Sequence, residues 1–189
     1  MKKIVFTIMA MCCINATAQK IQEADFIGNV RAFNTSDKDS VVISLDRVVC
    51  ELVGKATGSK IWLGFGSTRL HAKIPGKQSN CTMKLHEKYD LIVRVGNNDY
   101  DPMSQIAIFQ ITKNINSRRA ELGKVTKFDG KFNPSTIPNT IPFEGKKYGD
   151  HSYIISLPDM PVGEYAVLVS NPDQANSTSL IIYTFQVSK

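Results

Sequence analysis

The imidazoles and thiols outside the N-terminal segment, which could serve as bases, nucleophiles or zinc ligands, are His71, His86, His151, Cys50 and Cys81. They form no C-x-x-C or H-x-x-x-H spacing, and the chain has no G-x-S-x-G elbow, so the usual zinc-site and serine-hydrolase patterns are missing. A thiol hydrolase that pairs Cys81 with His86 or His151 would need a free thiol close to an imidazole. The sequence therefore favours a protein that is not an enzyme and that uses no cofactor and no metal.

The N-terminus has the pattern of a secretory signal peptide. Lys2 and Lys3 precede an apolar run at residues 4–14 that is too short to cross a bilayer, and Ala16-Thr17-Ala18 has the small-x-small form of a cleavage site. Cys12 and Cys13 lack the flanking residues of a lipoprotein signal. We therefore expect cleavage after Ala18, a mature domain of residues 19–189 without a transmembrane segment, and a secreted or periplasmic location.

Export would permit a disulfide between Cys50 and Cys81. Closing the loop of about 30 residues between them would stabilise the fold by about 3–4 kcal/mol on the chain-entropy model. Two buried free thiols that act as small apolar side chains are an equally acceptable interpretation. The sequence leaves both open.

A short cluster rich in oxygen ligands occurs at Asn97, Asn98, Asp99 and Asp101. Carboxylate and amide oxygens suit calcium, but the cluster lacks the glycine and the terminal glutamate of an EF-hand loop. Asparagine and aspartate are also common turn residues. We expect a turn and keep calcium binding as the alternative.

Positive charge is concentrated in residues 113–147, where eight basic residues face three acidic ones, an excess of +5. Loss of the signal peptide removes two lysines and no acids, so the formal net charge of the whole chain falls from +6 to +4. Aromatic side chains alternate with the basic ones, and such a surface could bind an anionic polysaccharide or an acidic protein. No nucleic-acid-binding motif appears. A charged run that only solvates the surface is the alternative. The predicted binding residues are Arg118, Arg119, Lys146, Lys147 and Tyr148.

Alternation of apolar and polar residues predicts nine or ten strands and no helix between them. We place two strands in residues 41–53, one over 61–65 with Trp62 as a core anchor, and a polar strand over 118–127 that could lie at a sheet edge. Residues 129–150 contain three prolines and are expected to form a long connection with at most one isolated strand. These features predict an all-β, single-domain protein built as a two-sheet antiparallel β-sandwich.

Residues near the C-terminus carry a resemblance to known domains. Pro161, Gly163, Tyr165, Val167 and Val169 resemble the entry to the penultimate strand of secreted immunoglobulin-like, fibronectin-type and transthyretin-like domains. The resemblance implies a sandwich of immunoglobulin-like general architecture, with Tyr165 latching a turn through its hydroxyl. We expect Tyr165→Ala to cost about 2–4 kcal/mol if the ring is buried. The spacing from Cys50 through Trp62 to Cys81 is too short for a true immunoglobulin domain.

Taken together, the sequence predicts a non-enzymatic exported domain that binds a protein or a carbohydrate at the cell envelope. A structural subunit or assembly factor of an envelope complex, which docks through its last strands, is the second hypothesis. The hydrolase is the third. The sequence places the functional surface along residues 113–150.

Overall fold

The computed structural model describes residues 21–36, 41–56, 68–125, 137–170 and 179–189. The predicted signal peptide, the strand expected over 61–65 and its Trp62 lie outside these residues. The described part of the chain is all-β apart from one short helix, as the sequence predicted.

A five-stranded antiparallel sheet forms one layer of the molecule. Its strands, in spatial order, are β2 (Val42–Ser44), β1 (Val30–Asn34), β6 (Tyr89–Arg94), β10 (Ser152–Ser156) and β9 (Glu144–Tyr148). β9 lies within the segment that we expected to contain at most one strand.

The other strands form a second sheet that closes on itself. In spatial order they are β11 (Gly163–Val169), β7 (Ile106–Lys113), β8 (Arg118–Val125), β4 (Thr68–Ile74), β3 (Asp46–Ala56), β12 (Ser179–Ser188) and β5 (Thr82–Lys84). The helix α1 (Pro102–Gln105) immediately precedes β7.

The prediction of a two-sheet antiparallel sandwich is wrong. β11 pairs with β7 on one side and with β12 on the other, so six strands of the second sheet form a closed barrel. In addition, β12 pairs with β5 in parallel. Strand alternation reports which side chains share a face, but it does not report whether the two ends of a sheet meet.

The barrel has a core of its own, made of side chains that point into its lumen. Many of them are small, which suits the narrow interior of a six-stranded barrel. The small lumen residues are Cys50, Ala72, Ala107, Ala120 and Ala166, and Phe109 is the largest side chain among them.

A second core fills the space between the outer wall of the barrel and the five-stranded sheet. β11 and β12 send alternate side chains to the two cores, so that Ala166 faces the lumen while Tyr165 and Val167 face the sheet. Cys50 belongs to the first core and Cys81 to the second, and both are free thiols. The disulfide interpretation is therefore wrong.

β8 is an interior strand of the barrel, hydrogen-bonded to both β7 and β4, and not the sheet edge that its polar sequence suggested. Ala120 and Leu122 fill the lumen, while Arg119 and Glu121 face solvent. Polar and apolar residues alternate over residues 119–122 because only one face of β8 is buried.

Tyr165 has the contacts of a turn latch. Its hydroxyl donates to the carbonyl oxygen of Pro161 at 2.7 Å, and its ring is 1% exposed and stacks on Phe185 with 5.6 Å between centroids. The latch thereby fixes the turn that leads into β11.

We expect Tyr165→Phe to lower the free energy of unfolding by about 1 kcal/mol, because it removes one hydrogen bond and keeps the ring. Because the ring is almost fully buried, we raise the cost expected for Tyr165→Ala from about 2–4 to about 3–5 kcal/mol, the range for emptying a large aromatic site. Urea denaturation of the three proteins measures both losses. Equal stability of the alanine variant and the wild type would disprove the role of the ring.

Candidate functional site

A cleft of about 370 Å³ opens between the barrel and the segment that precedes β1. One wall is this segment, residues 21–29, which we call the strap. The opposite wall is the outer face of β3, β11 and β12. The lining residues are Phe26, Ile27, Gly28, Asn29, Arg47, Val169, Ile181 and Tyr183.

Strand register explains why these barrel residues come together. Tyr183 pairs with Arg47 and with Val167, and Ile181 pairs with Val49 one row further along the same outer face. The row that contains Ile181 is apolar, while Arg47 supplies a positive charge beside it. The cleft can therefore hold an apolar group next to a cation.

The strap is held to the five-stranded sheet by the carboxylate of Glu23. Oε2 accepts from Ser152 Oγ at 2.6 Å and from Arg94 Nη1 at 3.4 Å, and Oε1 accepts from the backbone N–H of Asp150 at 3.2 Å. Gly149 has φ +58, and a Cβ there would stand 1.6 Å from Glu23 Oε1. Glycine is therefore required where the strap crosses the turn before β10.

Two exposed apolar side chains mark the end of the strap. Phe26 is 72% exposed and Ile27 is 41% exposed at the mouth of the cleft. Gly28 (φ +86) turns the chain after them, and its N–H donates to the carbonyl oxygen of Arg94 at 2.8 Å. The hydrogen bond of Gly28 fixes the backbone next to Phe26 and Ile27, while their side chains stay exposed. This arrangement is suited to contact with a partner.

The polar groups of the cleft are Arg47, Tyr183 and Asn29. The Tyr183 hydroxyl donates to Asn29 Oδ1 at 2.6 Å, and burial raises the pKa of Tyr183 despite the opposing charge of Arg47. Within the described residues, no carboxylate pairs with Arg47, which is exposed. The guanidinium is available to an anionic group from outside.

The five binding residues predicted from the sequence do not form one surface. Arg119 is exposed on the barrel strand β8, whereas Lys146 and Lys147 are exposed on β9, at the far edge of the other sheet. Lys147 Nζ pairs with Asp99 Oδ1 at 2.6 Å. Tyr148 is half-buried, and its hydroxyl donates to the carbonyl oxygen of Ile21 in the strap.

Arg118 is buried in the barrel, with 2% of its surface exposed. Its Nη1 pairs with Glu164 Oε2 at 2.9 Å and donates to Ser79 Oγ at 2.6 Å, while Nη2 donates to the carbonyl oxygen of Pro75 at 3.0 Å. Ser79 Oγ in turn donates to Glu164 Oε2 at 2.7 Å. This network closes one end of the lumen, and Arg118 contributes nothing to an exposed surface.

The histidines and cysteines lie on separate elements. His71 is on β4, His86 follows β5 in a turn with φ +66, and His151 precedes β10. None of them lines the cleft. Burial raises the pKa of Cys50 to about 12 and that of Cys81 to about 11, so both thiols stay protonated and weakly nucleophilic at neutral pH.

The oxygen-rich cluster makes turn and capping contacts. Asn97 Oδ1 accepts from the N–H of Asp99, Asp101 Oδ1 accepts from the N–H of Met103 at the start of α1, and the amide of Asn98 donates to the carbonyl oxygen of Ser152. Across the described ranges, no group of three or more histidine, cysteine, aspartate or glutamate residues could hold a metal ion. The same ranges contain no helix that is long and apolar enough to cross a membrane.

Comparisons with known proteins give no relationship: the chain matches no family model, no curated protein and no solved structure. The cleft is therefore assessed on its own geometry.

Phe26, Ile27 and Arg47 are not among the residues predicted from the sequence. The apolar pattern of residues 26–33 predicts a single strand that includes Phe26 and Ile27, whereas β1 begins at Val30. Gly28 between the apolar pair and the strand was the available signal, because glycine inside a strand pattern often marks a turn.

The Arg118–Glu164 pair gives a stability prediction. Either Arg118→Ala or Glu164→Gln should lower the free energy of unfolding by about 3–5 kcal/mol, because each leaves a buried polar group without its partner. Lys113 Nζ also reaches Glu164 Oε1 at 3.3 Å but is half exposed, so Lys113→Ala should cost less than about 1 kcal/mol. Urea unfolding of the three variants gives the comparison, and equal losses would contradict the burial argument.

The strap should loosen in acid. The hydrogen bond from Ser152, with help from Asp150 and Arg94, holds the pKa of Glu23 below its ordinary value of 4.5. A lowered carboxylate pKa stabilises the docked strap fully above pH 4.5, and this contribution disappears as the pH falls through the lower value in the folded protein.

NMR amide shifts of residues 21–29, followed from pH 7 to pH 2, report strap release. Glu23→Gln should loosen the strap at neutral pH and abolish this transition. An identical acid transition in the variant would mean that another group controls the strap.

Proposed function

We propose that the mature chain is a non-enzymatic exported domain that binds a protein partner at the cell envelope. The observation that carries the proposal is the cleft, which the exposed Phe26 and Ile27 line together with Arg47, a guanidinium that has no carboxylate partner among the described residues. Export is supported by the signal-peptide pattern of residues 1–18.

The lining of the cleft favours a protein over a carbohydrate. Ile27, Val169 and Ile181 give the cleft an aliphatic wall, which suits the apolar side chains of a protein better than the hydroxyl-rich surface of a sugar. An exposed aromatic beside an arginine is the composition of protein–protein hot spots. The basic residues predicted from the sequence do not form one surface, because Arg119 is on β8 whereas Lys146 and Lys147 are on β9 of the other sheet.

A non-enzymatic role is supported by the state of the reactive groups. The two described thiols have raised pKa values, and the imidazoles lie on three separate elements. A hydrolase needs a nucleophile and a base within hydrogen-bond reach. The hydrolase hypothesis therefore has little support.

The assembly hypothesis loses its original basis. It required the last strands to offer a docking edge, but β11 and β12 are both paired on two sides within the closed barrel. An assembly role would have to use another edge.

Site-specific photo-crosslinking in the source cells tests the proposal. A photoreactive phenylalanine analogue at Ile27 should give a discrete protein adduct, and Phe26→Asp or Arg47→Glu should reduce its yield at least tenfold. The matched control is the same analogue at Ile115, which is 91% exposed and follows the far end of β7, whereas the cleft residue Val169 pairs with Ile106 at the start of β7. It should give no adduct.

Identical adducts from positions 27 and 115 would contradict the proposal. A glycan array separates the carbohydrate alternative. Binding of an anionic glycan that Lys146→Glu and Lys147→Glu abolish, and that Phe26→Asp leaves intact, would replace the protein partner with a polysaccharide.

A further inference from the structure

The five-stranded sheet has two outer strands, β2 and β9, and they are protected very differently. β9 presents the charged side chains of Lys146 and Lys147, which is a common way to prevent an edge strand from pairing with another chain. β2 instead carries exposed valines, with Val41 58% exposed just before it and Val42 45% exposed within it. An edge of this kind is a template for an added strand.

Backbone hydrogen bonds show which groups β2 turns outward. The N–H of Thr35 donates to the carbonyl oxygen of Lys88, so the backbone N–H and C=O groups of the odd-numbered residues along β1 point toward β6. The backbone N–H and C=O groups of Ala32 then point toward β2, where Ala32 is paired with Ile43. The N–H and C=O groups of Val42 and Ser44 consequently point away from β1. Among the described strands, β2 pairs with β1 alone.

This outer edge leads directly to the cleft. Ser44 and Arg47 are three residues apart, at most about 10 Å along an extended chain. A strand added to β2 would therefore continue past Arg47 and the apolar wall beside it. The positive charge there, which has no carboxylate partner in the described chain, complements an acidic residue on that strand.

We propose that β2 accepts an extended segment of the partner protein. The segment pairs its backbone with Val42 and Ser44, places a carboxylate against Arg47 and inserts a large apolar side chain into the cleft. This inference rests on the proposed function and names the partner's chemistry, an acidic and apolar segment in strand conformation.

Val42→Pro provides a selective test, because the N–H that it removes makes no bond within the described sheet. Proline is tolerated in edge strands where its missing N–H would face solvent. The variant should keep the circular dichroism spectrum of the wild type and a melting temperature within a few degrees of it. Val42→Thr, which keeps the N–H and the branched side chain, is the matched control.

The probe is a library of random twelve-residue peptides displayed on phage and selected against the mature domain. The enriched sequences should combine an acidic residue with large apolar residues. Synthetic copies should bind Val42→Pro and Arg47→Ala at least tenfold more weakly than the wild type in a fluorescence polarisation assay. Val42→Thr should bind them within about twofold. Ser44→Pro removes the other outward N–H and should reproduce the loss.

Three outcomes would overturn the inference. One is that no peptide is enriched, and another is that Val42→Pro binds as tightly as the wild type. The third is a dimer of the mature protein that Val42→Pro dissociates in sedimentation equilibrium, which would make a second copy the occupant. If crosslinking at Ile27 succeeds while Val42→Pro has no effect, the protein-binding function stands and only strand addition fails.

Discussion

The double pairing of β11 is the interaction on which the remaining structure depends. β11 bonds to β7 on one side and to β12 on the other, so the second sheet has no free end between them. Closure confines the lumen, and the narrow lumen requires small side chains such as Ala72, Ala107 and Ala120. It also leaves the outer wall of β7, β11 and β12 as a smooth apolar surface for the five-stranded sheet.

Closure also explains the buried ion pair. A barrel lumen that ends in water must be sealed, and at one end the first residues of β8 and β11 bring Arg118 and Glu164 together. The pair is stabilised there by further hydrogen bonds: Ser79 Oγ donates to Glu164, and Arg118 donates to Ser79, Thr184 and the Pro75 carbonyl, although its Nε has no partner among the described residues. A charge that appeared, in sequence, to belong to a binding surface is instead part of the core.

The sequence allowed most strands to be predicted, because alternation reports which side chains share a face. The latch by Tyr165 was implied by the resemblance of residues 161–169 to the strand entry of secreted immunoglobulin-like domains, and its hydroxyl donates to the Pro161 carbonyl. Barrel closure and the fate of Arg118 were not, because both depend on which distant strands become neighbours. Near-continuous apolar runs such as residues 106–109 and 165–169 were the one local sign that both faces of those strands are covered.

The fold combines a closed barrel with a five-stranded sheet that has two free edges. Three described strands are outermost in their sheets, and β5 and β9 present lysines there (Lys84, Lys146 and Lys147), whereas β2 presents the exposed Val42. The strap brings Phe26 and Ile27 beside the barrel wall, a few residues along the chain from β1, the strand that pairs with β2. Single exposed apolar side chains are common, but contiguous exposed apolar groups often mark interaction sites. Phe26 and Ile27 line the same cleft as Arg47, and the exposed Val42 lies five residues before Arg47 in the chain. The proposed strand-accepting surface accounts for these three features together.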